Sequence, residues 1–141
     1  TFPVIQGVTD VNGSTLYYAH EIGNNQVDNL GNKTAIPAFI QSGSFDLDTE
    51  GNGQFFMSMR RFVPDFKLIS GNAKITINLK DFPTDTATSS PLGPFTITSS
   101  TDKVDTRART RFASLKVENT STDESWRYGT FRADIQPDGQ R

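Results

Sequence analysis

A chain of 141 residues is long enough for one domain with a hydrophobic core, and its net charge of −2 gives no overall attraction to nucleic acid or anionic membranes. The absence of cysteine excludes disulfide bonds, thiolate zinc sites and a cysteine nucleophile, and no apolar run approaches the roughly 20 residues of a membrane helix. Eight of the 14 lysines and arginines lie in residues 103–141, so any basic surface belongs to the last third of the chain.

Short apolar runs separated by Gly, Pro, Asn, Ser and Thr predict an all-β fold. In chain order, the predicted strands are "STLYYAHEI", "SGSFDLD", "QFFMSMRRFV", "AKITINLKDF", "GPFTITS", "RARTRFASLKVEN" and "WRYGTFRADIQ". The stretch "GNNQVDNLGNK" predicts a polar connection or hairpin loop, "DTEGNGQ" a turn and "FPTDTATSSPLGP" a long polar loop, and "SGNA" predicts a hairpin turn. We expect a single antiparallel β-sandwich over residues 1–141, jelly-roll-like, with about seven or eight strands and long polar loops, as part of a longer chain or assembly.

Two of the predicted strands change phase along their length. In "RARTRFASLKVEN" the arginines share alternate positions with Leu115 and Val117, whereas Phe112 falls on the other face. A bulge inserts one residue and reverses which face the following side chains occupy. We therefore predict β-bulges near residues 113–114 and near Gly129, each of which would restore one apolar face.

The one histidine and the serines do not form a recognisable catalytic motif. His20 would have to serve as the base for Ser14, Ser42 or Ser114, but no G-x-S-x-G elbow surrounds any of these serines. We interpret His20 as a structural residue at a strand end.

The segment "DLDTEG" resembles the start of a calcium-binding loop. It supplies acids at positions one, three and five and glycine at position six, yet position twelve is Met57 instead of a bidentate glutamate. Five further acids could in principle pair for glycoside hydrolysis, but none has a catalytic context: Asp65, Asp81, Asp123, Glu124 and Asp134. We therefore expect no enzymatic activity, no metal and no cofactor.

The clustered arginines are the strongest signal in the sequence. Acidic residues are interleaved with them, and arginine suits bidentate pairing with carboxylates, so ion pairs within the fold or between subunits are favoured over nucleic-acid binding. The predicted ion-pair residues are Arg107, Arg109, Arg111, Arg127, Arg132 and Asp134. The predicted aromatic anchors of the same contact are Trp126, Tyr128 and Phe131.

The last third of the chain resembles a C-terminal signature of bacteriophage virion proteins. That signature reads approximately R-x-R-G-R, a basic and hydrophobic strand, a short loop, then W-R-hydrophobic-G-x-x-R-x-D-hydrophobic-x-P-D-G-R-R. Eleven residues fall on it: Arg107, Arg109, Arg111, Trp126, Arg127, Gly129, Arg132, Asp134, Pro137, Asp138 and Gly139. Thr110 stands where the signature has Gly, and Gln140 stands where it has Arg. The segments "YYAHEIGNN", "IPAFIQSGSFDL" and "RRFVPDF" resemble upstream parts of the same module.

The resemblance implies a structural protein of the virion, in the tail of a short-tailed phage as a nozzle or tube-associated component. It implies partners among other tail proteins and copies of the chain itself, in a homo-oligomer that we expect to be a ring, with no catalytic activity, no sequence-specific nucleic acid and no membrane. The alternative is a carbohydrate-binding β-sandwich of a tail or capsid decoration protein. That alternative requires Trp126, Tyr128, Tyr17 and Tyr18 to form an exposed platform.

Overall fold

A computed structural model describes residues 4–9, 12–20, 22–28, 30–47, 55–85 and 91–140. All regular structure in these ranges is β-strand, and the pairing of every strand is antiparallel. The strands are β1 (Val4–Thr9), β2 (Thr15–His20), β3 (Asn25–Val27), β4 (Lys33–Ala35), β5 (Ala38–Gln41), β6 (Phe55–Val63), β7 (Phe66–Ser70), β8 (Ala73–Lys80), β9 (Leu92–Ile97), β10 (Val104–Thr110), β11 (Phe112–Asn119), β12 (Ser125–Tyr128) and β13 (Arg132–Gln140).

The all-β sandwich predicted from the sequence is confirmed, but the described ranges contain thirteen strands, not seven or eight. Part of the difference lies in "GNNQVDNLGNK", predicted as a polar connection or hairpin loop, which contains β3, the turn and the first residue of β4 in a short hairpin. The Asp28 carboxylate shapes its turn by accepting hydrogen bonds from the backbone N–H groups of Leu30 and Asn32, at 2.9 and 2.8 Å. A polar stretch can therefore form strands when an aspartate stabilises the turn between them.

Two larger sheets enclose the core. The first has the strand order β10-β6-β13, and the second has the order β5-β11-β8-β9. Buried and less buried residues alternate in the first part of β8 and in the second half of β11, and the first sheet supplies the opposing apolar side chains. Fully buried members of the core include Met57, Met59, Phe62, Ile75, Ile77 and Val117.

Strand β6 keeps one apolar face because one arginine has no partner in β13. Asp134 lies opposite Arg61 and Ile135 lies opposite Met59, so Arg60 is an extra residue in that ladder. The extra residue reverses the phase of the strand, and Met59 and Phe62 both reach the core. The adjacent arginines Arg60 and Arg61 are exposed.

Near Gly129, the pairing of β12 with β7 has a register shift between Trp126 and Tyr128. The bulge predicted near residues 113–114 is wrong, because the chain changes sheet instead. It leaves the first sheet after Thr110 and enters the second at Phe112, with Arg111 at the crossing. The register of β11 with β8 then runs without a shift. At Gly129 the chain leaves β12 and enters β13 of the first sheet. A change of sheet reverses the phase as a bulge does, so alternation alone does not distinguish the two.

Three two-stranded sheets complete the described structure: β1-β2, β3-β4 and β12-β7. The predicted hairpin at "SGNA" is also wrong, because β7 pairs with β12 whereas β8 belongs to the second large sheet. Gly71 in this turn has φ of +72°, which favours glycine, and an added Cβ would lie 3.0 Å from the Glu124 side chain. Hairpin β3–β4 is attached to the 120s loop by Lys33, whose ammonium lies 3.1 Å from the Asp123 carboxylate.

Candidate functional site

The three alternate arginines that the sequence groups together are divided by the fold. Arg107 and Arg109 lie on β10 with exposed side chains, on the outer face of the first sheet. Arg111 lies at the crossing between sheets, with its guanidinium 5.9 Å from the centroid of the Phe82 ring and 6.0 Å from that of Phe112. Only two of the three therefore share a strand face.

Arg109 connects all three strands of the first sheet. Its guanidinium lies 4.0 Å from the centroid of the Phe56 ring, on β6. Its Nε donates a hydrogen bond to the Asp138 carboxylate at 2.8 Å, and an Nη donates to the Asp138 carbonyl oxygen at 3.1 Å, on β13. A planar guanidinium can stack on a ring and donate in its own plane at the same time, which an ammonium cannot do.

An open depression lies beside this contact on the same face. Arg60 and Arg107 line it together with Arg109, Asp138 and Thr106. Neither Arg60 nor Arg107 has an ion pair with any residue that the structure describes. This arrangement can bind carboxylate or phosphate groups.

The remaining predicted ion-pair residues lie apart from this depression. Asp134 is 3.7 Å from Arg61, a partner that the sequence analysis did not propose. Arg127 on β12 and Arg132 on β13 are exposed and have no ion pair within the described ranges. They are available to carboxylates of another chain.

The three predicted anchor aromatics pack within the fold. Trp126 and Tyr128 meet the Phe66 ring edge-on, with centroids 6.1 and 5.4 Å away, and Phe131 lies 5.9 Å from Phe62. All three are half-buried against the core. The Tyr128 hydroxyl is buried without a hydrogen-bond partner in the described structure, and burial together with the charge of Asp65 raises its pKa from 10.0 to about 12.

Two of the carboxylates considered for catalysis, Asp65 and Glu124, hold loops in place. A Glu124 oxygen accepts hydrogen bonds from the backbone N–H groups of Thr120 and Ser121, both at 2.8 Å. Asp65 accepts from Gly129 N–H through its backbone oxygen at 2.6 Å and from Thr130 N–H through its carboxylate at 3.2 Å. These contacts are those of structural acids at turns.

The other candidate sites are covered only in part. The His20 side chain and residues 48–51 of the resemblance to a calcium loop lie outside the described residues. The Ser42 hydroxyl accepts a hydrogen bond from Leu115 N–H at 2.9 Å and donates one to the Gly43 carbonyl at 2.8 Å. Among the described residues, no three acids or histidines are grouped as metal ligands.

The sequence analysis missed two apolar surfaces. On β5, an outer strand of the second sheet, Phe39 is 67% exposed and Ile40 is 54% exposed. On hairpin β1–β2, every side chain that the structure describes is exposed, including Val4, Ile5 and Tyr17. The uncharged run "AFIQ" was the available sequence signal for the first of these surfaces.

In comparisons with known proteins, no family model and no curated protein matches this chain. None of the described residues forms a helix long and apolar enough to cross a membrane.

Proposed function

We propose that this protein is a structural component of a bacteriophage virion, in the tail as a nozzle or tube-associated assembly protein, and that it acts through contacts between subunits. The observation that carries the assembly role is the amount of apolar side chain exposed outside the sandwich core, on hairpin β1–β2 and on strand β5. Contiguous exposed apolar surface is typical of interaction sites. The resemblance of the C-terminal third to virion proteins supports the location.

The contact between Arg109 and Asp138 joins the two halves of the sequence signature on which that resemblance rests. The two residues belong to the two halves of the signature, "RARTR" and "PDG", and they meet as an ion pair in the fold. Residues that hold strands together are what a structural module requires. The free guanidinium groups of Arg107, Arg127 and Arg132 would serve the contacts to neighbouring subunits, where arginine binds carboxylates well.

Carbohydrate binding is the second candidate, favoured by the Tyr17 ring, which is 75% exposed. It needs a platform of several rings. Trp126 and Tyr128 pack edge-on against Phe66, and no ring contact joins Tyr17 to either of them in the described structure. The Tyr18 side chain lies outside the described residues. Among the described rings the platform is reduced to isolated ones, and we place this function second.

The test is the size of the purified protein by mass photometry and light scattering, followed by cryo-EM of the particles and of intact virions. We expect a closed oligomer, and ordered density for this module in the tail. Arg132→Glu should weaken the assembly, whereas Arg132→Lys, the matched control that keeps the charge, should retain most of it. A monomer at all concentrations that is also absent from virions would refute the proposal, and binding on a glycan array would then favour the second function.

A further inference from the structure

The free edges of the two large sheets differ in how they are protected against pairing. An unpaired edge strand presents a row of N–H and C=O groups to any other strand, and proteins block such edges with charged residues and proline. The edge strand β10 carries Asp105, Arg107 and Arg109, and β13 carries charges together with Pro137. The edge strand β9 contains Pro94.

Strand β5 is the edge of the large sheets with the least protection of this kind, although Pro37 precedes it and the Lys116 ammonium on β11 lies 5.2 Å from the centroid of the Phe39 ring. Its residues, Ala38–Gln41, include no charge and no proline. Just beyond it, Ser42 donates its N–H to the Leu115 carbonyl at 2.8 Å. In an antiparallel ladder, every second residue bonds its backbone groups to the neighbouring strand. The backbone N–H and C=O groups of Ile40 therefore point toward β11, and those of Phe39 and Gln41 point to the open side.

Hairpin β1–β2 is a two-stranded sheet that lacks a covering strand or sheet among the described residues. Its strands pair with each other over Val4–Thr9 and Thr15–His20, and all of its described side chains are exposed. A two-stranded hairpin alone is marginally stable in water and is stabilised when a further strand or sheet covers it. On one face, the Tyr17 ring lies across Gly7, where an added Cβ would be 3.3 Å from that ring. Ile5 is on the same face, 66% exposed.

We propose that hairpin β1–β2 of one copy adds to the open edge of β5 in a second copy, so that the second sheet continues from subunit to subunit. This inference rests on the proposed function, because it names the partner surface for assembly. The main-chain hydrogen bonds of Phe39 and Gln41 would supply the pairing, and the exposed side chains of Phe39 and Ile40 would cover the hairpin. The beginning of β5 also borders an open depression lined by Ile36, Ala38 and Trp126, which can accept an apolar side chain.

The first experiment removes one outward N–H group. Gln41→Pro deletes a donor that β11 does not use, and edge positions of this kind tolerate proline. Gln41→Ala is the matched control, because it removes the same side chain and keeps the N–H group. We expect Gln41→Pro to raise the dissociation constant of assembly roughly tenfold or more, the effect of one lost main-chain hydrogen bond, whereas Gln41→Ala stays close to the native value. Equal assembly by the two variants would overturn the proposal.

The second experiment does not depend on whether the proline variant folds. The chain has no cysteine, so single cysteines can be introduced and joined with a short bismaleimide. Ile5→Cys protein and Tyr17→Cys protein are each mixed with Phe39→Cys protein. Mixed cross-linked dimers support the proposal. Dimers formed by Phe39→Cys alone, with none in the mixtures, would instead show β5 pairing with itself and would overturn it.

Different results would contradict the hairpin contact and the assembly role. Native protein that assembles but yields no mixed cross-link contradicts the hairpin contact and leaves the assembly role intact. Native protein that is monomeric and absent from virions contradicts both.

Discussion

Replacing Thr110 with valine tests what holds the chain where it passes from one sheet to the other. Thr110 is the last residue of β10, and its side chain is only 1% exposed. Its hydroxyl lies 2.8 Å from the Lys80 carbonyl oxygen, at the end of β8, and 3.0 Å from the Phe112 carbonyl oxygen. One hydroxyl proton is thus shared between two carbonyl groups of the second sheet, one at the end of β8 and one at the start of β11.

The expected cost follows from these contacts. Valine has nearly the same shape as threonine, so neither a cavity nor overpacking is created. Removing the hydroxyl leaves a buried carbonyl group without that donor, which costs about 1–3 kcal/mol. The added buried methyl group returns about 0.8 kcal/mol. We expect the free energy of unfolding to fall by about 1–2 kcal/mol, which lowers Tm by about 3–7 °C for a domain of this size.

Urea denaturation followed by the fluorescence of Trp126, the single tryptophan, and by circular dichroism measures this change. Thr106→Val is the control in the same strand. Its hydroxyl makes a longer bond of 3.3 Å to the Met59 carbonyl, and its side chain is partly exposed, so the loss should be about 0.5 kcal/mol or less. Equal stabilities for the native protein and Thr110→Val would refute a stabilising role for the hydroxyl at the crossing.

Three further substitutions test other contacts. Tyr128→Phe should leave stability unchanged or slightly raised at neutral pH, because the buried hydroxyl has no partner in the described structure. Since the folded pKa of Tyr128, about 12, exceeds the unfolded value of 10.0, the stability of the native protein should fall between pH 10 and 12. The variant should not show that part of the decrease. Arg109→Lys should lower stability by about 1 kcal/mol by breaking the planar contact to Asp138, and hydrogen exchange should show faster opening near the end of β13. Asp123→Asn should speed exchange in β3–β4 at neutral pH. The hydrogen bond from Lys33 lowers the Asp123 pKa, so in the native protein the protection of this hairpin against hydrogen exchange should persist above about pH 4. It should disappear as the pH falls through that lowered pKa. A native hairpin that stays protected in acid would contradict this.

The strands were predictable wherever local alternation decides the structure. In β8, Ile75 and Ile77 are fully buried while Lys74 and Thr76 are not, as the pattern requires. The crossing at Arg111 was not predictable in the same way. A bulge and a change of sheet both reverse the phase, and the difference depends on which distant strand each half meets.

The surfaces were harder to predict than the strands, because pairing of charges and coverage of apolar groups depend on distant residues. The sequence analysis grouped five arginines, but the fold gives Arg109 a carboxylate 29 residues away and leaves Arg107 exposed. Trp126 was also selected by residue type as an aromatic anchor of that contact, whereas its ring packs against Phe66 within the fold. For Phe39, the sequence shows an apolar run but does not show that the strand is an edge.

Arg109 and strand β5 show how the edges of the two large sheets differ. Across the first sheet, the Arg109 guanidinium reaches from β10 over the Phe56 ring of β6 to Asp138 on β13, so one side chain connects three strands and leaves the two edges charged. Charged edges disfavour strand addition. The second sheet has no equivalent at β5, where Phe39 and Gln41 direct their backbone groups outward from an uncharged strand. If the proposed contact forms, strand addition is therefore directed to β5 and away from the charged edges of the first sheet.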